Sequence, residues 1–171
     1  MKLTDRIYLV GSGGQGLNLT DDYDCHIYLL DGGDELALID AGAGMGVPQI
    51  VENIRGHGFE PAQVNHLLLT HAHGDHIGDS FKIAERTDPL FICVNELANY
   101  CISKGFRAHN MHIGGSHVFD FGMLKFTIAH HGSMTPDNTY GGEPAGVVLT
   151  IDGITVYHTG DTGLFYDMKL V

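Results

Sequence analysis

Apolar residues along this chain fall into short runs, each cut off by glycine, aspartate or proline. Arg6 to Val10 is one such run, stopped by Gly11-Ser12-Gly13-Gly14-Gln15-Gly16. Cys25 to Leu30 and Leu36 to Asp40 follow as two β-rich segments, and Asp31-Gly32-Gly33-Asp34 between them is a hairpin signal. From Pro48 to Arg55 the period changes. Val47, Ile50, Val51 and Ile54 recur at helical spacing, opened by proline and closed by Gly56 and Gly58, which predicts a short amphipathic helix. Val64 to Thr70 then contains three adjacent leucines, Leu67, Leu68 and Leu69, the pattern of a strand covered on both faces, and it ends at His71.

Further along, Ser80 to Thr87 and Glu96 to Lys104 read as helices, with a buried strand from Leu90 to Val94 between them. Four more strands are expected at Val118 to Phe121, Leu124 to Ile128, Val147 to Ile151 and Ile154 to Tyr157, the last two joined by the tight-turn dipeptide Asp152-Gly153. Strands outnumber helices, and no linker, repeat or low-complexity tract divides the 171 residues. The expectation is one mixed α/β (α+β) domain over residues 1–171, with mixed or antiparallel sheets.

Composition narrows the function. With 43% hydrophobic and only 18% charged residues the chain can bury a core, so extended disorder is excluded. Acidic residues outnumber basic ones by 21 to 9, and a formal charge of -12 repels phosphate backbones and anionic membrane surfaces alike. No apolar run approaches the roughly 20 residues that span a bilayer, and Met1 to Asp5 lacks the features of a secretory signal. We therefore expect a cytoplasmic protein with a small-molecule substrate and neither nucleic acid nor membrane as partner. Cys25, Cys93 and Cys101 lack CxxC spacing, so they are read as buried thiols rather than a disulfide framework or a thiolate zinc site. Gly11-x-Gly13-x-x-Gly16 matches a dinucleotide fingerprint in form only. A polar stretch with Asp21, Asp22 and Asp24 follows where a helix should begin, so a loop near the rim of a site is expected instead.

The 12 histidines change the picture most. His71-Ala72-His73-Gly74-Asp75-His76 places three imidazoles and a carboxylate within six residues, just after the buried strand. A loop can turn such side chains toward one point where a continuous helix would scatter them, and imidazole with carboxylate suits zinc, and also iron or manganese. Grouping several cationizable groups has little stabilising rationale unless an ion organises them. Two further strand tips carry ligand-type residues, His130-His131 after the strand ending near Ile128 and Asp161 after the strand ending near Tyr157. His26, His57, His66, His109, His112 and His117 lack clustered partners and are read as ordinary surface or core residues.

His71-x-His73-x-Asp75-His76 after Leu67-Leu68-Leu69-Thr70 resembles the signature of the metallo-β-lactamase superfamily. That resemblance implies an αβ/βα sandwich with one or two metals at one edge. His71, His73 and His131 match the ligands of the first metal, and Asp75, His76 and Asp161 match ligands of the second, with Asp161 as the bridging carboxylate. Asp40, in Leu38-Ile39-Asp40-Ala41-Gly42, matches an aspartate that supports a ligand from behind. From His71 onward, Asn95-Glu96-Leu97-Ala98, Asn110 to Gly115, Pro144-Ala145-Gly146 and Tyr157 to Thr162 resemble a bacterial branch of metal-dependent hydrolases related to ascorbate-phosphate lactonases. The residues before His71 are nearer the hydroxyacylglutathione hydrolase type, so a mosaic of the two is expected. Family members continue past the position of Val171, through a last histidine ligand and strands that complete the second sheet. The resemblance thus implies a truncated chain with its second sheet incomplete at the C-terminus.

The function so implied is a zinc-dependent hydrolase in which a metal-bound hydroxide attacks a small ester, thioester, lactone or phosphoester. Asp75 would orient the nucleophile and His158 would donate a proton to the leaving group, with His130 the other imidazole beside these loops. One or two Zn2+ ions are expected, with iron or manganese as substitutes. Two alternatives keep the ligands and change the outcome. An iron-loaded oxidoreductase of the same superfamily is one. The other is a metal-binding chain without turnover, whose open sheet edge would make it a homodimer or higher homo-oligomer.

Overall fold

The computed structural model describes residues 1–171, and its ten strands form two sheets. The first contains β1 (Ile7–Gly11), β2 (Ile27–Asp31), β3 (Leu36–Ile39), β4 (Val64–Leu68), β5 (Leu90–Val94) and β6 (Ala108–Met111), paired in that order. β2 runs antiparallel to both β1 and β3, whereas β3 to β6 run parallel. This change has a local cause. The predicted Asp31 to Asp34 turn folds β2 back on β3, but α1 (Val47–Gly56) intervenes before β4, and a crossover through a helix returns the chain in the same direction.

The second sheet, in the order β10 (Ile154–His158), β9 (Ala145–Ile151), β8 (Gly122–Ile128) and β7 (Ser116–Phe119), is antiparallel throughout. Asp152 and Gly153 both have positive φ, 51° and 78°, as a two-residue turn matched to strand twist requires. Side chains from both sheets, among them Leu30, Leu67, Phe91, Phe126, Val147 and Leu149, join one buried core. α1, α3 (Ser80–Thr87) and α4 (Asn95–Ser103) pack on strands of the first sheet. Leu67, Leu68 and Leu69 are all buried, as expected for a strand covered on both faces. No helix is long and apolar enough to cross a membrane.

Two elements differ from the sequence expectation. β6 was not anticipated, because Ala-His-Asn-Met lacks an apolar run; as an edge strand it is held by pairing to β5 and buries fully only Met111. The strand expected over Val118 to Phe121 instead ends at Phe119, since Asp120 and Phe121 form the turn into β8. Phe121 is nonetheless almost fully buried, stacked on Phe119 at 5.2 Å between ring centroids.

Candidate metal centre

β4 ends at Leu68, and the chain curls from Thr70 through His73 into the single-turn helix α2 (Gly74–Ile77), where the His73 carbonyl accepts hydrogen bonds from the N–H groups of His76 and Ile77. The buried Ala72 N–H donates to Ser133 Oγ at 3.3 Å, tying this turn to the loop after β8. The loops after β8 and β10 are joined as well, for the His130 N–H donates to Thr162 Oγ1 at 2.8 Å. Gly160 takes a left-handed conformation, φ 62°, and a Cβ there would collide with the Ala145 carbonyl, so only glycine lets the chain pass this close to β9 before presenting Asp161.

The consequence is convergence. Ring centroids of His71 lie 4.6 Å from His73, 4.0 Å from His76 and 5.1 Å from His131. Ligand atoms of His71, His73 and His131 all fall within 4.8 Å of one another, and so do those of His71, His76 and Asp161. On the cleft side of His76, Nε2 is 3.5 Å from Asp75 Oδ2 and 3.4 Å from Asp161 Oδ2. Asp161 Oδ2 is also 3.9 Å from His131 Nε2, so this carboxylate reaches toward both groups. All six residues expected to ligate metal are therefore brought to one place.

Behind His76 stands Asp40. Its Oδ2 is 2.8 Å from His76 Nδ1 and accepts a second hydrogen bond from Thr70 Oγ1 at 2.8 Å, while Oδ1 accepts one from the Thr70 N–H at 2.9 Å. A carboxylate at Nδ1 fixes the proton there in the neutral ring and leaves the Nε2 lone pair toward the cleft. Asp40 thus stands against the face of His76 turned away from the cleft. His158, at the end of β10, accepts a hydrogen bond at Nδ1 from the Gly160 N–H and packs edge-on against Tyr28. His130 is solvent-exposed, its ring against Phe165.

The electrostatics fit a cation. Burial, reinforced by charge on His76, lowers the His71 pKa to about 4, so its imidazole is neutral at neutral pH. Burial opposes a charge on His76 too, yet Asp40, Asp161 and Asp75 together raise its pKa far above the ordinary value. Asp161 is pushed down to about 2, chiefly by the close approach of His76, and the same ring lowers Asp75. Burial lowers the pKa of His158, which keeps that ring neutral. The Nε2 atoms of His71 and His76 are buried with no hydrogen-bond partner. Unpartnered polar atoms in a buried site are costly, and a divalent ion would satisfy both, replacing the proton that the carboxylates otherwise hold on His76.

Some features of this region carry no signal in the sequence. Cys25 is half-buried rather than lost in the core, with Sγ grouped with Asp40 and His76, whereas Cys93 and Cys101 are buried as expected. His26, read as an ordinary residue, lines the cleft together with Gln15, Gly16 and Asp75, which also places the glycine-rich loop at the rim. His57 and His66 pack on aromatic rings away from the site, and His109 and His117 pair at 4.4 Å on neighbouring edge strands.

The sequence profile described as metallo-beta-lactamase superfamily matches residues 20–171. Among curated proteins, a UPF0173 metal-dependent hydrolase of Bacillus velezensis is 52% identical over 117 residues, which is 66% of this chain and 51% of the relative. The chain thus spans about half the length of the curated relatives it matches. Among solved structures, Igni18, described as a novel metallo hydrolase from the hyperthermophilic archaeon Ignicoccus hospitalis, superposes with a TM-score of 0.66 at 29% identity, covering 84% of this chain and 60% of that one. The metallo-beta-lactamase GOB-18 from Elizabethkingia meningoseptica superposes with a TM-score of 0.65 at 19% identity over 92% of this chain and 58% of that one, a likeness of fold.

Proposed function

Because this chain belongs to the metallo-β-lactamase superfamily, we propose that it is a zinc-dependent hydrolase of a small ester, thioester, lactone or phosphoester. The observation that carries this reading is the pair of buried, unpartnered Nε2 atoms of His71 and His76, set among Asp161, His73 and His131. The name of the Bacillus velezensis relative, a metal-dependent hydrolase, supports it. In this reading His71, His73 and His131 hold one zinc ion, and Asp75, His76 and Asp161 hold a second. Zinc bound there supplies Lewis acidity to the electrophile and to water.

The chain's own residues do the rest. Asp75, kept ionised by the nearby His76 ring and half-exposed to the cleft, accepts a hydrogen bond from the attacking water at a carboxylate oxygen and orients it. Asp40 holds the His76 ring so that only Nε2 faces the cleft. His158, neutral and engaged at Nδ1, offers its Nε2–H as a hydrogen-bond donor to the leaving group, and needs no imidazolium to do so.

The experiment is metal analysis joined to turnover. Zinc-loaded protein is assayed on an activated ester, a thioester, a lactone and a phosphodiester, before and after chelation. The expected result is turnover of at least one class, lost on chelation, restored by zinc, and reduced at least about 100-fold in Asp75→Ala. Stoichiometric zinc without turnover of any class would overturn the hydrolase reading.

A further inference from the structure

A cavity separate from the candidate metal centre lies on the helical side of the first sheet, beneath α1 and α3. Leu38 of β3 and Val64 of β4 form its floor, Ile50 and Ile54 of α1 and Ile83 of α3 its walls, and it encloses about 260 Å³. The short 3-10 turn Pro61–Gln63 closes one side through Pro61 and Ala62. Every lining residue falls between positions 27 and 87, and none of the candidate metal ligands is among them.

The charge in this lining stands at its ends. Arg55 and Arg86, in the last turns of α1 and α3, both line the cavity and are exposed to solvent. The other two arginines are paired, Arg6 with Asp31 and Asp152, and Arg107 with Asp88. Arg55 and Arg86 form no salt bridge, although Glu52 and Glu85 stand on the same helices. A helix C-terminus favours a cation, which accounts for each arginine singly but not for both meeting one apolar cavity in a chain of formal charge -12. Asp79 lies at the opposite end of α3, about 10 Å from Arg86 along the axis. Its side chain is buried, with Oδ1 accepting a hydrogen bond from Lys82 Nζ at 3.0 Å and Oδ2 without a partner.

These ends are not equivalent to a molecule arriving from water. The guanidinium groups are exposed and Asp79 is not, so a charged head keeps its hydration at the arginine end while a hydrocarbon tail gains from the apolar walls. A guanidinium fork also matches the two oxygens of a carboxylate.

We propose that this cavity binds a small aliphatic carboxylate, with its anionic head at Arg55 and Arg86 and its tail laid between α1 and α3 over Leu38 and Val64. The site goes beyond the hydrolase reading and does not depend on it. Its volume falls just below the range of about 300 to 1,000 Å³ typical of drug-sized ligands, which suits a short chain.

The test titrates butyrate, hexanoate and hexylamine into the full chain, once with zinc and once after chelation, and follows the methyl resonances of Ile50, Ile54 and Ile83. Hexanoate should shift these methyls with the same affinity in both states. It should bind at least about fivefold more tightly than butyrate, since each buried methylene is worth roughly fourfold, and at least about tenfold more tightly than hexylamine. Replacing both arginines, Arg55→Gln with Arg86→Gln, should weaken hexanoate at least about tenfold and leave zinc content unchanged. Val51→Phe, which fills the cavity from a half-buried position on α1, should weaken both carboxylates, with its fold checked by circular dichroism. Shifts confined to residues around His71 and His131 and lost on chelation would mean that the carboxylate is only a metal ligand, and would overturn the proposal. Hexylamine binding as tightly as hexanoate would overturn it by showing that Asp79 sets the preference. Unchanged affinity in the double glutamine variant, or no shift at about 10 mM hexanoate, would overturn it as well.

Discussion

Asp40 Oδ2 lies 2.8 Å from His76 Nδ1, while Asp75 and Asp161 approach the opposite nitrogen of the same ring at 3.5 and 3.4 Å. One imidazole therefore separates a fully buried carboxylate from two that face the cleft, and its orientation is set from behind.

Asp40→Asn tests that relationship. An asparagine amide can donate to Nδ1, which would move the ring proton to Nε2 and remove the lone pair that faces the cleft. We predict a fall in zinc affinity of about 10- to 100-fold, with the fold retained. Thr70→Val, which loses only the hydroxyl bond to Asp40, should weaken zinc less. Competition against a chelating dye measures both.

Zinc uptake should release protons. Without metal, the carboxylates around His76 hold its ring protonated at neutral pH, whereas burial keeps His71 neutral. Binding at pH 7 is therefore expected to free about one proton per zinc held by His76. Calorimetry repeated in buffers of different ionisation enthalpy gives this number, and a value near zero would mean that His76 is already neutral.

The metal-free chain should lose stability on the acid side. The folded pKa of His71 is depressed from 6.5 to about 4, so an unfolded chain takes up this proton first as pH falls. The stabilisation from holding the ring neutral is complete above about 6.5 and is lost as pH drops through about 4. For this fully buried ring the loss is of order 3 kcal/mol. Urea unfolding of chelated protein between pH 7 and pH 4 should show a steeper decline than in His71→Gln.

Gly160→Ala should damage the site without touching a ligand. The new methyl meets the Ala145 carbonyl at a left-handed position, so Asp161 must shift away from His76. A lower Tm and weaker zinc binding are expected together, read by thermal unfolding with and without zinc.

Most strands and the ligand cluster were legible because each rests on a local pattern. The leucine run before His71 announces a buried strand, and His71, His73 and His76 fall within six residues. Asp152-Gly153 encodes its own turn. What escaped depends on contacts distant in sequence. β6 is a strand because β5 pairs with it, and its polar His109 and Asn110 give no period. His26 and Cys25 look like loop residues until β2 brings them beside His76, fifty positions further along.

X-ray absorption at the zinc edge tests the central claim most directly, applied to the purified chain after zinc loading and to His71→Ala. The account predicts stoichiometric zinc with a shell of nitrogen and oxygen at about 2.0 to 2.2 Å and imidazole scattering beyond it, much reduced in the variant. Failure to take up zinc, a sulfur neighbour at about 2.3 Å implicating Cys25, or a spectrum unchanged by His71→Ala would contradict it.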